Sequence, residues 1–411
     1  MNKKSLSESK LRFLFVSTDK FVPFRVDVAV LFGQELVRRG HVIDWILQSE
    51  KACHKQYETI WSGCRVWVGA TDTGTSRFCR IKKHIHDISN DFRMFCLASK
   101  NRYHFIQVKD KFLSALMAIL AARLNRTRFI YWLSYPFPEA SLYRVREGIA
   151  RYPWFYWFRG IIFKFLLYRV IMPRADHVFV QSEQMKKDVA AMGISKKKLT
   201  AVPMGVCLEG IPYEPNKGPF MQNKTERMVV YLGTLARVRR IDFLIRVFVK
   251  VLRKVPNAKL YLVGGSPDPN DEKMLKDEAL NQGVEGTIIF TEFLPMKEAW
   301  RFVRRADVCV SPIHPNPILN PGSPTKLIEY MAMGKAVVAN DHPEQRLVIS
   351  ESGGGICVPY EEAAFANAIA QLLTDDLMAA EMGRKGRLYI EQKRTYKTIA
   401  DLVEAKYDLV K

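Results

Sequence analysis

The chain has no uninterrupted run of about 20 apolar residues, the length that a helix needs to cross a bilayer. Its best candidate, residues 153–172, is broken by Arg159, Lys164 and Arg169. Nor does it pair its cysteines. Cys53, Cys64, Cys79, Cys96, Cys207, Cys309 and Cys357 are odd in number and none forms a C-x-x-C pair, which argues against a secreted disulfide framework and against a zinc site. There is no G-x-G-x-x-G fingerprint and no Walker sequence, so a nicotinamide or P-loop reading lacks support. No collagen-like period, heptad seam or solenoid repeat is found. The opening stretch MNKKSLSESKLRF has no apolar core of a secretory signal. These absences set an expectation of a reducing, cytoplasmic protein without a metal centre.

What is present is a globular composition. Of 411 residues, 48% are hydrophobic, enough for two domains with separate cores. Charge is unevenly spread. The first 200 residues carry 35 Lys+Arg against 16 Asp+Glu, and the remainder 28 against 26, within a net charge of +21. A basic half attracts polyanions such as nucleic acid, anionic lipid headgroups or phosphorylated substrates. Within it, Trp154 to Phe158 form an unbroken aromatic run close to Arg144, Arg146 and Arg151, a composition found at membrane interfaces. The basic interruptions are five apart and so spread around a helix, and ordinary core packing remains an equal alternative.

Strand and helix signals alternate along both halves. In the first, strands are read at 11–17, 41–47, 104–108, 129–133 and 177–182, with helices at 26–38 and 111–124. In the second, strands are read at 228–233, 259–265, 287–293, 308–312 and 336–340. Alternation of this kind predicts parallel, doubly wound sheets. A Pro/Gly/polar stretch over 202–226 reads as a linker. It divides the chain into an acceptor-side domain at 1–205 and a second domain at 206–411, whose last helices are candidates to pack back on the first. Two such domains are expected to face a ligand cleft.

Two segments carry chemistry. In NPGSPTKLIEYMAMGKAVVAND (320–341), Ser323 is placed to cap a helix and Pro324 to occupy its first position. Leu327, Ile328, Met331 and Ala332 form its apolar face, with Lys326, Glu329, Tyr330 and Met333 outside it. Gly334 ends it. The helix start offers amide groups and a positive dipole end to a phosphate, Lys326 adds charge, and Glu329 is suited to accept from sugar hydroxyls. In YLGTLARVRRID (231–242), Gly233 follows a strand and lets a ligand approach, while Arg237, Arg239 and Arg240 suit a diphosphate. On spacing alone, the same segments also read as a capped core helix and a solvated charge run.

Taken together, YLGTLARVRRIDFLI, SPTKLIEYMAMGKAVVA and RADHVFVQSEQMKKDV with LTAVPMGV resemble the retaining glycosyltransferase family 4, and the resemblance runs over nearly the whole chain. It implies the GT-B fold: two Rossmann-like, doubly wound parallel-sheet domains facing an interdomain cleft. It also implies a nucleotide-diphosphate sugar as donor, with no cofactor and no metal. By the resemblance, Glu329 matches the second Glu of the family's Glu–seven residues–Glu motif and binds the donor ribose. Arg239, assisted by Arg237, and Lys326 serve the diphosphate, as do Gly233, Thr234 and the backbone around Ser323, Pro324 and Thr325. Thr291, Phe293 and Leu294 fall where the family places the base. The sequence departs from the pattern at Pro321, where the first Glu would stand, and at Thr234, where an Arg is common. STDKFVPFRVD replaces a glycine-rich loop, and WLSYPFPE lacks the family's His.

The acceptor is expected on the basic half, with Lys20, Arg25, Lys109, Asp110, Ser134 and Glu139 as candidate contacts at loops after strands. The expected partners are a nucleotide sugar, a glycan or glycolipid acceptor and an anionic membrane surface, with the protein peripheral on its inner face. Two alternatives stay open: a GT-B relative that binds a nucleotide sugar without transfer, and a basic nucleic-acid-binding protein, although no recognisable nucleic-acid module is present.

Overall fold

A computed structural model describes residues 10–72, 74, 76–213 and 225–411. Residues 214–224 of the expected linker, and most of the opening stretch, lie outside the described residues. The chain forms two compact units, Met1–Pro203 with Tyr396–Lys411, and Met204–Thr395. The final helix, at the end of the segment 206–411 whose last helices were candidates to pack back on the first domain, belongs to the first unit.

The first unit holds an eight-stranded sheet: β1 (Arg12–Phe21), β2 (Val42–Ser49), β3 (Tyr57–Trp61), β4 (Cys64–Gly69), β5 (Phe105–Lys109), β6 (Arg128–Leu133), β7 (His177–Val180) and β8 (Leu199–Ala201). Their order is β3-β4-β2-β1-β5-β6-β7-β8, parallel except for the β3–β4 hairpin. Side chains alternate across the sheet. Leu14, Val16, Ile106 and Val108 face a helix layer that includes Phe112–Leu124 and Glu183–Ala191. Phe13, Phe15, Trp45 and Trp132 face the π-bonded helix Asp27–Leu36 and the last helix, Tyr396–Val410. Burial on both faces is why these strands read as continuous apolar runs. The last helix is fixed by Tyr407, whose ring meets Phe13 edge-on at 4.7 Å and lies tilted against Phe105 at 5.0 Å. Glu404 adds contacts to Arg39 and His41, each at 2.7 Å.

The second unit carries β9 (Arg227–Leu232), β10 (Ala258–Val263), β11 (Ile288–Phe290), β12 (Val308–Ser311), β13 (Val337–Asn340) and β14 (Gly355–Val358), in the order β11-β10-β9-β12-β13-β14 and all parallel. Winding runs outward in one direction from β9 and in the other from β12. The reversal leaves a crevice outside the carboxyl ends of β9 and β12, where sheets of this kind bind ligands. The first sheet reverses in the same way between β1 and β5.

Candidate donor site

At the reversal of the second sheet, β9 runs into Gly233, and the loop after β12 leads to the helix Thr325–Ala332. One side chain ties the two together. Tyr330 is fully buried, and its hydroxyl accepts from the Leu232 amide at 2.7 Å. The sequence put Tyr330 and Met333 outside the apolar face of this helix. Both are buried, because the helix is enclosed by its own sheet and by the helix Asp376–Lys393, which leaves it little outer face.

The Gly233 turn is held by its amide, which donates to the Val263 carbonyl at 2.9 Å, and by Leu235, whose amide donates to Gly265 at 2.9 Å. Gly264 has φ +130°, and a Cβ there would lie 2.3 Å from the Gly233 carbonyl oxygen. Only glycine permits this crossing of two loops. Lys326 points from the helix's first turn into the Gly233 turn. Its Nζ lies 3.9 Å from the centre of the Tyr231 ring, and a Cβ at Gly233 would meet it at 3.0 Å. The cation thus rests on an aromatic face, at the strand end predicted to meet a diphosphate.

Lys326 sits deep in this recess, although its side chain still reaches solvent. Burial lowers its pKa to about 7; Arg239 adds to the depression and Glu329 opposes it. Burial raises Glu329 to about 7 against the pull of Lys326. A desolvated cation beside a half-neutral carboxyl is poorly compensated within the protein, and an arriving anion supplies the missing charge.

Arg237 and Arg239 form a short helical turn after Gly233 and are exposed. Neither has a carboxylate partner among the described residues. Arg240 is different: it adopts φ +52° and pairs with Asp242 at 3.1 Å. Thr234 is exposed, and its carbonyl accepts from the Tyr231 hydroxyl at 3.2 Å.

Two details at the helix start differ from the sequence reading. Ser323 does not cap the helix. Its Oγ accepts from the Met204 amide at 2.9 Å and lies 3.5 Å from Glu344. Pro324 occupies the cap position itself, so no side chain caps the first turn. The first-turn amides, starting at Thr325, lack partners within the helix and form a ready anion site. Gly334, at φ +70°, ends the helix.

The preceding loop is fixed by residues that the sequence did not single out. Asn316 Oδ1 accepts from Ile318 and Leu319 at 2.9 and 2.8 Å. Asn340 receives the Ile313 amide at 2.7 Å, and His342 Nε2 lies 2.9 Å from the Leu319 carbonyl. The asparagines of a Pro/Asn-rich stretch were the available signal, since they favour such local turns.

On the other flank, Thr291 Oγ1 accepts from the Gly264 amide at 3.3 Å, Glu292 has φ +60°, and the exposed Phe293 ring would lie 3.0 Å from a Cβ on Gly265. Leu294 is half-buried beside it.

The acceptor candidates of the first unit gather at its own sheet reversal, but most are engaged. Lys109 is 1% exposed; its Nζ lies 3.3, 3.7 and 3.9 Å from Asp19, Asp110 and Asp27. Asp110 accepts from the Ser134 amide at 2.8 Å and pairs with its hydroxyl. Burial raises the Asp110 pKa. Arg25 grips Asp27 in a fork at 3.0 and 2.9 Å. Burial also opposes ionisation of Asp27, but Lys109 and Arg25 outweigh it and hold its pKa low. Asp110 and Ser134 do follow the ends of β5 and β6, but they are buried; Lys109 is the last residue of β5 instead of a loop residue, and the fold brings Asp19 and Asp27 over it. Lys20 is half-buried, and burial lowers its pKa. Glu139 receives the Tyr168 hydroxyl at 3.1 Å.

Comparison with known proteins gives the family and the fold. Residues 27–209 match the family described as Glycosyltransferase Family 4, and residues 213–389 match Glycosyl transferases group 1. Among curated relatives, a GDP-mannose-dependent alpha-(1-6)-phosphatidylinositol monomannoside mannosyltransferase of Mycolicibacterium smegmatis is 28% identical over 51% of this chain and 56% of its own. An alpha-monoglucosyldiacylglycerol synthase of Streptococcus pneumoniae is 26% identical over 36% of this chain and 32% of its own. The matched region thus spans about half or less of these relatives' lengths. Among solved structures, a sucrose-phosphate synthase from Thermosynechococcus elongatus superposes with a TM-score of 0.71 at 19% identity, covering 98% of this chain and 99% of that one. The Anabaena protein HepE in complex with UDP gives 0.70 at 14% identity, covering 97% and 100%. With two parallel-sheet Rossmann-like units and two adjoining family matches, the chain belongs to the group 1 and family 4 glycosyltransferases of GT-B fold.

Proposed function

We propose that the protein transfers a sugar, with retention of anomeric configuration, from a nucleoside-diphosphate sugar to a glycan acceptor carried on a membrane lipid. The observation that carries the donor half is Lys326 Nζ lodged in the Gly233 turn over Tyr231, at the sheet reversal. In this reading the diphosphate lies between that turn and the amides that open the helix at Thr325. Lys326, Arg237 and Arg239 neutralise the charge that develops as the nucleotide departs. Glu329 holds ribose hydroxyls, and the Thr291–Leu294 loop with the Phe293 ring borders the base. The departing phosphate itself takes the acceptor's proton, so retention needs no dedicated carboxylate pair, and transfer proceeds without a metal ion. UDP bound by the Anabaena protein of the same fold supports a nucleoside diphosphate as ligand.

The acceptor half rests on the basic first unit and on relatives whose names specify a phosphatidylinositol mannoside and a diacylglycerol glycolipid. The protein then works peripherally at the inner face of the membrane. Radiolabelled nucleotide sugars, supplied one at a time with a membrane lipid extract, test the reading. Labelled lipid with the donor's anomeric configuration is expected, and hydrolysis or no product with every donor would overturn it.

Pro321, where the family has an acid, favours a second reading in which the site binds a nucleotide sugar without transfer. Saturable binding with no product from any donor would select it.

A further inference from the structure

The helix Pro153–Phe165 turns its apolar side to solvent. It packs on the helix Phe137–Arg146 by a narrow strip. Gly160 there lies so close that a Cβ would meet Leu142 at 2.7 Å, and Arg159 donates to Ser141 Oγ at 2.9 Å. The rest of its surface is large and apolar. Trp154, Trp157, Phe158, Ile162 and Phe165 are exposed, Trp154 by 68% and Phe165 by 60%. A contiguous patch of this kind marks an interaction site rather than ordinary surface.

The patch does not end with that helix. Phe112, at the start of its own helix, stacks on Phe163 at 4.4 Å, and the adjacent Lys111 reaches Asp87 at 2.9 Å in the helix Arg77–Asp91. That second helix also presents an apolar row, Phe78, Ile81 and Ile85, with Lys82 and Lys83 exposed between them. Leu113 is exposed where the two helices are linked. Residues 140–175 hold seven Arg or Lys and one acid, Glu147. Indole and phenyl rings fringed by arginine match the headgroup zone of a bilayer with anionic lipid. No helix among the described residues is long and apolar enough to cross a membrane, so the fit is to lying on the surface.

We infer that the helices Arg77–Asp91 and Pro153–Phe165 together form a docking surface for an anionic lipid bilayer. Both flank the carboxyl end of β5, so docking sets the acceptor candidates of the first unit beside the headgroups. The inference deepens the membrane-presented acceptor reading and rests on it.

Flotation with vesicles of phosphatidylcholine, alone or with phosphatidylglycerol, tests it, using the intact protein and the Trp154→Glu/Trp157→Glu variant. These side chains are exposed, and binding of a nucleotide sugar by thermal shift reports separately on fold and donor site. The intact protein should float with the anionic vesicles, more weakly at high salt, and the variant should bind them roughly tenfold less with donor binding unchanged. If donor binding persists but neither protein floats, the docking surface fails while the donor site stands. The inference is also overturned if the variant floats as well as the parent, if a dimer that the variant dissociates accounts for the patch, or if an oligonucleotide binds both proteins alike and displaces the vesicles.

Discussion

Replacing Lys326 with methionine should stabilise the ligand-free protein and weaken donor binding together. Lys326 is held at about 7 in the fold against an ordinary 10.5. Between those pH values an unfolded chain keeps a proton that the fold releases, so the stability of the native protein rises with pH across that window. Below it, holding the cation desolvated is costly throughout. Full depression over this interval corresponds to about 5 kcal/mol. Water still reaches the side chain, so removing the charge should gain about 2 kcal/mol, or roughly 4–8 °C in melting temperature for a unit of this size. Methionine conserves the apolar stem over Tyr231. The loss of Lys326 also removes the pull that keeps Glu329 down, so its carboxyl stays protonated at neutral pH and no buried charge is stranded. Binding should change in the opposite direction. One charge-assisted contact to a diphosphate is worth about 1.5–3 kcal/mol, roughly a 10- to 150-fold loss of affinity. Thermal denaturation without ligand and titration calorimetry with a sugar nucleotide read the two effects. A variant that is less stable and binds as tightly as its parent would refute the reasoning.

Three further outcomes are expected. Donor affinity of the native protein should fall as pH rises above 7, because binding must return a proton to Lys326; calorimetry should detect that uptake, and the methionine variant should show neither effect. Glu329→Ala should weaken sugar-nucleotide binding by about 1–3 kcal/mol, measured by the same titration. Tyr407→Ala should destabilise the first unit by about 3–5 kcal/mol in denaturant unfolding while leaving donor binding by the second unit intact.

The central strands were legible because they are buried on both faces and bounded by turn residues, as at 228–233 and 336–340. The β3–β4 hairpin was not. YETIW is largely exposed and mixes charge with aromatics, so no period of two stands out. β14, Gly355–Val358, is only half-buried and offers four residues of signal. The site was partly legible: Gly233 and Lys326 lie 93 positions apart in the chain, yet each carried a local signature, a glycine after a strand and a lysine in a helix's first turn. What joins them could not be read. Tyr330 looked like a surface residue on helical spacing, and only the sheet order brings its hydroxyl to the end of β9. Lys109 misled for a related reason, because the carboxylates that enclose it come from Asp19 and Asp27, about 80–90 residues earlier. The final helix was read only as a candidate to pack back on the first domain, and the sheet face it covers was not legible, since an amphipathic face does not name the sheet it will cover.

The most direct measurement is an experimental structure with a nucleoside diphosphate bound. The account predicts its diphosphate beside the Gly233 turn, within hydrogen-bond reach of Lys326 Nζ and of the amides at the Thr325 helix start. A diphosphate seated elsewhere, with Lys326 still resting on Tyr231 and unengaged, would contradict it.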